Sequence, residues 1–278
     1  MSDAMRRAAA WAAVGSLARI LEGVAPIAPL KGVLLEVGSS PGRAARMADI
    51  DVLVPEDRYL AAHRALEAAG ARCVARDRDD RARTFSGGVP ATVDLHRRLF
   101  KAGLFRAPTA DLFGRATPDD ATYGSRVWML DPRDTYAHLL GHAVSGRQTE
   151  AGRAKALRDL HAWAQHHRLD PAKLARHLER LGMGRAARLV LSEARDDVAH
   201  AVRGALRPDP VGERMARLAR RALEPSRPTL VRTLGVHALN ETLPRGARSL
   251  ASHLLHGLHQ RWIDRDPPGI TIDPREPR

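Results

Sequence analysis

At 278 residues, 44% hydrophobic and 28% charged, the chain has the make-up of an ordinary soluble globular protein with one large domain or two smaller ones. Its single cysteine, Cys73, excludes an intrachain disulfide and points to a reducing, cytoplasmic setting, and no apolar run is long enough to span a bilayer. A net charge of +13 attracts polyanions such as nucleic acid, nucleotides or phosphorylated substrates. Arginine supplies most of that charge, because Lys31, Lys101, Lys155 and Lys173 are the only lysines. Such a bias reads as drift in a GC-rich genome. It weakens the charge as a sign of nucleic-acid binding and makes the retained lysines more informative.

An amphipathic helix is expected from about Asp3 to Glu22, with Trp11, Val14, Leu17 and Leu21 on one stripe. Ile27 to Leu30 reads as a strand, Lys31-Gly32 as a turn, and Val33 to Val37 as the opening of a short helix. That order suits an anion: glycine lets the backbone approach closely, and a helix start offers free N–H groups. A loop rich in Ser, Pro and Gly follows at Gly38–Gly42, and then Arg43 and Arg46.

Arg46-Met47-Ala48-Asp49-Ile50-Asp51-Val52-Leu53-Val54 carries the most chemistry. Its aliphatic run reads as a short buried strand that stops at Pro55. Side chains two apart on a strand share a face, so Asp49 and Asp51 point the same way. Two such carboxylates repel each other and are costly to desolvate, and a divalent cation between them removes that cost. Magnesium is the natural choice, since it takes one or two carboxylates together with substrate phosphates.

Glu56 to Ala69 reads as a helix closed by Gly70. Ala71 to Ala75 and Arg83 to Phe85 read as strands, the second ending at Gly87-Gly88. Ala91-Thr92-Val93-Asp94-Leu95-His96 reads as another, and a hairpin partner containing Phe85 would set Asp94 beside the Asp49/Asp51 strand. Gly103 to Thr117 is loop-like, and Val127 to Leu130 is the last expected strand. From Pro132 onward the pattern is helical. Asp131 or Asp134 caps a helix through Val144 that carries His138 and His142 at i and i+4, without the glutamate or cysteine a zinc site would need. Further helices are expected at Ala151–His167, Asp170–Leu181, Arg185–Val202, Val211–Leu223, Leu230–Asn240 and Arg248–Trp262. The Pro-rich, charged end from Asp264 to Arg278 reads as disordered. The boundaries expected are therefore 1–131 for an α/β domain with its N-terminal helix, 132–263 for a helical domain, and 264–278 for a tail.

Taken as an ordered set, Leu30-Lys31-Gly32, Arg46 to Val54, and Val93-Asp94-Leu95-His96-Arg97-Arg98-Leu99 resemble the motifs of the uncharacterised bacterial nucleotidyltransferases of the polymerase-beta-type superfamily. His138, His142 and Arg158-Asp159-Leu160 continue the likeness, which covers about Ile27 to Trp163. Two departures are visible: Val33 stands where the superfamily has Ser after the glycine, and Arg97 stands where the family has an aromatic. The resemblance implies an α+β fold: a small mixed β-sheet nucleotidyltransferase domain flanked by helices, followed by an all-α helical domain. It implies in-line attack of an acceptor hydroxyl or phosphate on the α-phosphate of a nucleoside triphosphate, with ATP the expected nucleotide, releasing pyrophosphate. Asp49, Asp51 and Asp94 would bind Mg²⁺ in a one- or two-metal site, and Asp94 would help deprotonate the nucleophile. Lys31, Gly32, Arg46, His96, Lys155 and Arg158 would contact substrate or phosphate.

Two other readings compete. One is a basic nucleic-acid-binding protein or toxin–antitoxin component, marked by salt-dependent binding that survives loss of the acids. The other is a degenerate relative that binds nucleotide without chemistry. The acceptor is left open between a small molecule, a protein and an RNA end, and no membrane partner is expected.

Overall fold

The computed structural model describes residues 3–31, 33–34, 49–77, 80–101, 104–119, 126–145, 150–194, 196–224 and 229–239. Helix α1 spans Asp3–Ile20, β1 Ala28–Pro29 and β2 Asp49–Leu53. A 3-10 turn at Glu56–Arg58 leads into α2, Tyr59–Ala68. Strands β3 (Arg72–Arg76), β4 (Ala82–Ser86) and β5 (Thr92–His96) follow. Next come α3 (Thr109–Arg115) and the short pair β6 (Thr117–Pro118) and β7 (Trp128–Met129). Beyond β7 every described element is helical: α4 Pro132–Ser145, α5 Glu150–His166, α6 Pro171–Arg180 and α7 Gly184–Leu191. The described chain ends with α8 Asp197–Ala205, α9 Pro210–Ala222 and α10 Thr229–Ala238.

The main sheet has the order β1-β2-β5-β4-β3. β2 and β5 run parallel, and the other neighbours pair antiparallel. One face is apolar because alternate residues on adjacent strands supply it: Ile50 and Val52, Val93 and Leu95, and Phe85 are all buried. They form one core cluster with Val14, Leu17 and Leu21 of the N-terminal stripe and with Tyr59, Ala62 and Leu66 of α2. A second cluster joins Leu30, Leu53, Leu99 and Phe100 to the buried faces of α4 to α9. The sheet therefore lies between its own helices on one side and the helical half on the other.

This is the mixed sheet with flanking and following helices that the resemblance implied. Three local expectations need correction. The stretch from Gly103 to Thr117 contains a helix, α3, whose seven residues bury only Thr109 and Leu112, too short a period to read. The single helix expected from Arg185 to Val202 is two, because Asp196 starts a new one by accepting a hydrogen bond from the Ala199 N–H. The first turn after Pro55 is 3-10 rather than α. The last strand stands where it was expected, shortened to Trp128–Met129; it pairs with β6, and Val127 bridges to Ile27 and packs in the core of the main sheet. Asp131, not Asp134, caps α4, with Oδ1 accepting from the Arg133 N–H at 2.8 Å. The loop Gly38–Gly42, the helix expected at 248–262 and the tail from Asp264 lie outside the described residues.

The turn between β4 and β5 has one strict requirement. Gly88 sits at φ +61°, and a Cβ there would come within 2.5 Å of the Ala69 carbonyl oxygen and 2.6 Å of the Ala71 nitrogen. Both are backbone atoms after α2, so neither side can give way. Gly88→Ala is expected to destabilise the protein by roughly 2–4 kcal/mol, left-handed strain and overpacking together. Urea unfolding would check this, and a loss below about 1 kcal/mol would contradict it.

Candidate active site

Parallel pairing of β2 with β5 sets Asp51 directly opposite Asp94, with Asp49 opposite Thr92 and Leu53 opposite His96. On the other side of β5, Thr84 of β4 stands opposite Asp94. Thr84, Asp94 and Asp51 thus make a polar row across three strands, on the face opposite the Ile50/Val52 core. Asp49 stays exposed at the strand's start, while Asp51 is only 8% exposed.

Asp51, which is buried, and Asp94, which is half-buried, are each oriented by neighbours. The Lys31 ammonium donates to Asp51 Oδ1 at 2.8 Å, and His96 Nε2 lies 3.0 Å from the same oxygen. A carboxylate only accepts, so His96 carries its proton on Nε2 and donates. Thr84 Oγ1 donates to Asp94 Oδ1 at 2.6 Å. The second oxygens of Asp51 and Asp94 have no protein partner among the described residues. One ligand atom each from Asp51, Asp94 and His96 lies within 4.8 Å of the others, the metal-capable group among the described residues.

The field divides the carboxylates. Burial by itself would raise the Asp51 carboxyl, but the His96 hydrogen bond and the Lys31 charge outweigh it and hold the group well below the usual range. Asp49 is pushed the other way, by partial burial first and then by the Asp51 and Asp94 charges, with Lys31 offsetting part of the shift. Lys31 has the backbone of a residue under constraint, with φ +41°, which aims a part-buried side chain back over β2. On the facing helix α4, His138 is buried with neither ring nitrogen hydrogen-bonded among the described residues. Burial first, then the Lys31 charge, keep its imidazole neutral by pushing its pKa far down.

A family model described as an uncharacterised nucleotidyltransferase matches residues 3–196, a span that contains the whole sheet and this acid row. The chain belongs to that nucleotidyltransferase family. Neither a curated protein nor a solved structure gives a match. Membership makes the chain an enzyme of nucleotidyl transfer with a nucleoside triphosphate as substrate. No described helix is long and apolar enough to cross a membrane.

The nucleotidyltransferase thus brings Lys31, Asp49, Asp51, Asp94 and His96 together, although they come from three separated stretches of sequence. Gly32 and Arg46 lie outside the described residues, which resume with Val33 and Leu34 in helical conformation and with Asp49. Lys155 is exposed on α5 and paired within its own helix to Asp159 at 2.6 Å. Arg158 is exposed on the same helix, and no described contact joins it to the acids. His138 and His142 stack with centroids 6.4 Å apart and interplanar angle 2°, and neither belongs to the metal-capable group. Thr84 went unread in the sequence, because its role exists only through the β4–β5 register. Arg115, Asp134 and His177 were missed for a similar reason: three helices bring them together around one fully buried carboxylate.

Proposed function

We propose that the nucleotidyltransferase transfers a nucleoside monophosphate, with ATP the first nucleotide to test, to a hydroxyl or phosphate acceptor and releases pyrophosphate in a Mg²⁺-dependent reaction. The observation that carries this reading is the side-by-side placing of Asp51 and Asp94 on parallel strands, each oriented through one oxygen and leaving the other without a protein partner among the described residues. The donor set suits a hard cation: one oxygen each of Asp51 and Asp94 lies within 4.8 Å of the other, beside His96, and Asp49, whose carboxyl is raised by partial burial first and then by the Asp51 and Asp94 charges, adds a third carboxylate that a cation would relieve. Asp49, Asp51 and Asp94 would hold the ion. Bound there, it would supply charge neutralisation at the triphosphate and acidify the attacking hydroxyl.

The chain's own groups do the rest. Lys31 adds positive charge where the phosphates must lie, and Gly32, Arg46, Lys155 and Arg158 are further candidates for phosphate contact. His96 donates to Asp51 and keeps that carboxylate ionised and aimed. Asp94, fixed by Thr84, accepts the proton of the attacking hydroxyl as its oxygen bonds to the α-phosphorus and the bond to the pyrophosphate oxygen breaks.

The test is incubation of the purified protein with each α-labelled nucleoside triphosphate and Mg²⁺, with and without cell extract, beside Asp51→Asn. Label that moves onto a protein, RNA or metabolite with the wild type alone supports transfer and shows the acceptor class. Equal labelling by the variant, or neither labelling nor Mg²⁺-dependent nucleotide binding by the wild type, refutes the assignment.

Lys31 gives a sharper check. Lys31→Gly relieves the positive φ while removing the ammonium, so stability should change by less than about 1 kcal/mol. Transfer should fall roughly 10- to 100-fold, the worth of one charge-assisted contact. Parallel melts and kcat/KM values measure both, and unchanged activity would remove Lys31 from the site.

A further inference from the structure

A second concavity of about 600 Å³ opens where the chain leaves β5, between that segment, α3 and α6. Its size falls in the range of small-molecule sites. Five cations and two carboxylates stand in its lining. One cation is neutralised there, since Arg98 is pinned to Glu56 by two donors. Arg115 is held by a carboxylate behind the wall, donating to both oxygens of the fully buried Asp134 at 2.9 and 3.0 Å. Lys101 and Arg106 have no carboxylate partner among the described residues. Among the described residues Arg180 donates only to His177 Nδ1, at 3.2 Å, and the opposite nitrogen of that ring meets Asp134 at 2.9 Å. Because Arg180 is donor-only and Asp134 accepts, His177 turns its Nε2–H to Asp134 and its Nδ1 lone pair to Arg180, and the Arg180 charge meets no carboxylate among the described residues.

The apolar side is equally defined. Phe100 and Phe105 meet edge to face with centroids 5.0 Å apart. An ideal Cβ on Gly141 would lie 2.5 Å from Phe100 Cε1, so that ring is packed directly on the backbone of α4. The Phe100 ring is also 6.3 Å from His138 on the same helix, whose imidazole feels the Lys31, His96 and Asp51 charges. Arg98 and Phe100 follow His96 by two and four residues. The concavity is thus next to the acid row and separate from it.

We propose that this concavity is the acceptor pocket of the transfer reaction and takes a small molecule that joins a flat ring to a phosphate group. The inference rests on the transfer reading given above. The aromatic pair would bind the ring, and Lys101, Arg106 and Arg180 the phosphate. An acceptor seated there would turn its reactive hydroxyl or phosphate toward the acid row past the end of β5, whose chain runs on from His96 into the lining residues Arg98 and Phe100. A macromolecular acceptor would find no need for an aromatic-walled cavity of this size.

The test is calorimetric titration of the full chain with phenyl phosphate, alone and with a saturating non-hydrolysable triphosphate and Mg²⁺. One-to-one binding that persists beside the nucleotide is expected. Phenol and inorganic phosphate should each bind more weakly. Lys101→Ala and Arg106→Ala alter exposed side chains and leave the Arg106 N–H bond to the Leu181 carbonyl in place. Each should weaken phenyl phosphate roughly tenfold, whereas Asp49→Asn/Asp51→Asn should weaken the nucleotide and leave phenyl phosphate unchanged. No saturable binding, displacement by the nucleotide, or indifference to both cation variants would overturn the pocket while the transfer reading stands. Phenyl phosphate binding without any Mg²⁺-dependent nucleotide binding would instead defeat the transfer reading, and the acceptor role with it.

Discussion

Asp51→Asn is expected to lower nucleotide transfer by roughly 10³-fold or more while leaving the protein folded. The substitution keeps the shape of a side chain that is only 8% exposed, and it keeps one oxygen to accept from Lys31 or His96. What it removes is the charge. The carboxyl of Asp51 lies well below the ordinary range because His96 and Lys31 outweigh the cost of burial, so the wild-type group is ionised at every working pH. A neutral amide in its place leaves Lys31 without the negative charge it is paired to. Asp49 then loses one of the two neighbours that raise its carboxyl, so its pKa should move down. Transfer rates with the labelled triphosphate, a thermal melt, and the Asp49 titration followed by carboxyl NMR together separate a chemical defect from a folding one. Transfer within tenfold of wild type would mean that Asp51 does not serve the reaction.

Asp134→Ala carries the largest stability cost that the fold predicts, about 3–5 kcal/mol. No part of Asp134 reaches solvent. Its two oxygens accept from Arg115 Nε at 2.9 Å, Arg115 Nη2 at 3.0 Å and His177 Nε2 at 2.9 Å. The three residues belong to α3, α4 and α6, so one carboxylate ties together three helices that share little sequence proximity. Its removal leaves a guanidinium and an imidazole N–H facing a site built for an anion. Asn at this position should recover little, because its amide nitrogen must face a donor. Denaturant midpoints measured for both variants would decide the matter. A shift worth less than about 1 kcal/mol would show that the cluster is idle. The same cluster forms one wall of the concavity beside β5, so Asp134→Ala should also weaken phenyl phosphate binding in whatever fraction stays folded.

Much of this protein follows from local pattern. The apolar stripe of α1, the alternation that buries Ile50 and Val52, and the alternation that buries Val93 and Leu95 can all be read by counting twos and fours along the chain. The same counting puts Asp49 and Asp51 on one strand face, and Asp94 and His96 on another. Period breaks down where elements are short or polar. Helix α3 has seven residues and two buried side chains, and the break before α8 rests on one capping aspartate. The motifs likewise carry the family, because their residues and order are linear properties.

Tertiary structure alone decided which carboxylate stands opposite which. Whether β5 lies next to β2, and in what register, depends on burying two apolar faces at once, and a shift by one residue would turn Asp94 into the core. That register brings Thr84 to Asp94 and His96 to Asp51. It also starts the segment whose Arg98 and Phe100 line the second concavity. Asp134 shows the same limit most plainly. In sequence it is an acidic residue in the first turn of a helix, where capping is the natural expectation. In the fold it is a buried anion matched to an arginine 19 residues earlier and a histidine 43 residues later. Pairings over such distances follow from packing, not from period, and no count along the chain supplies them.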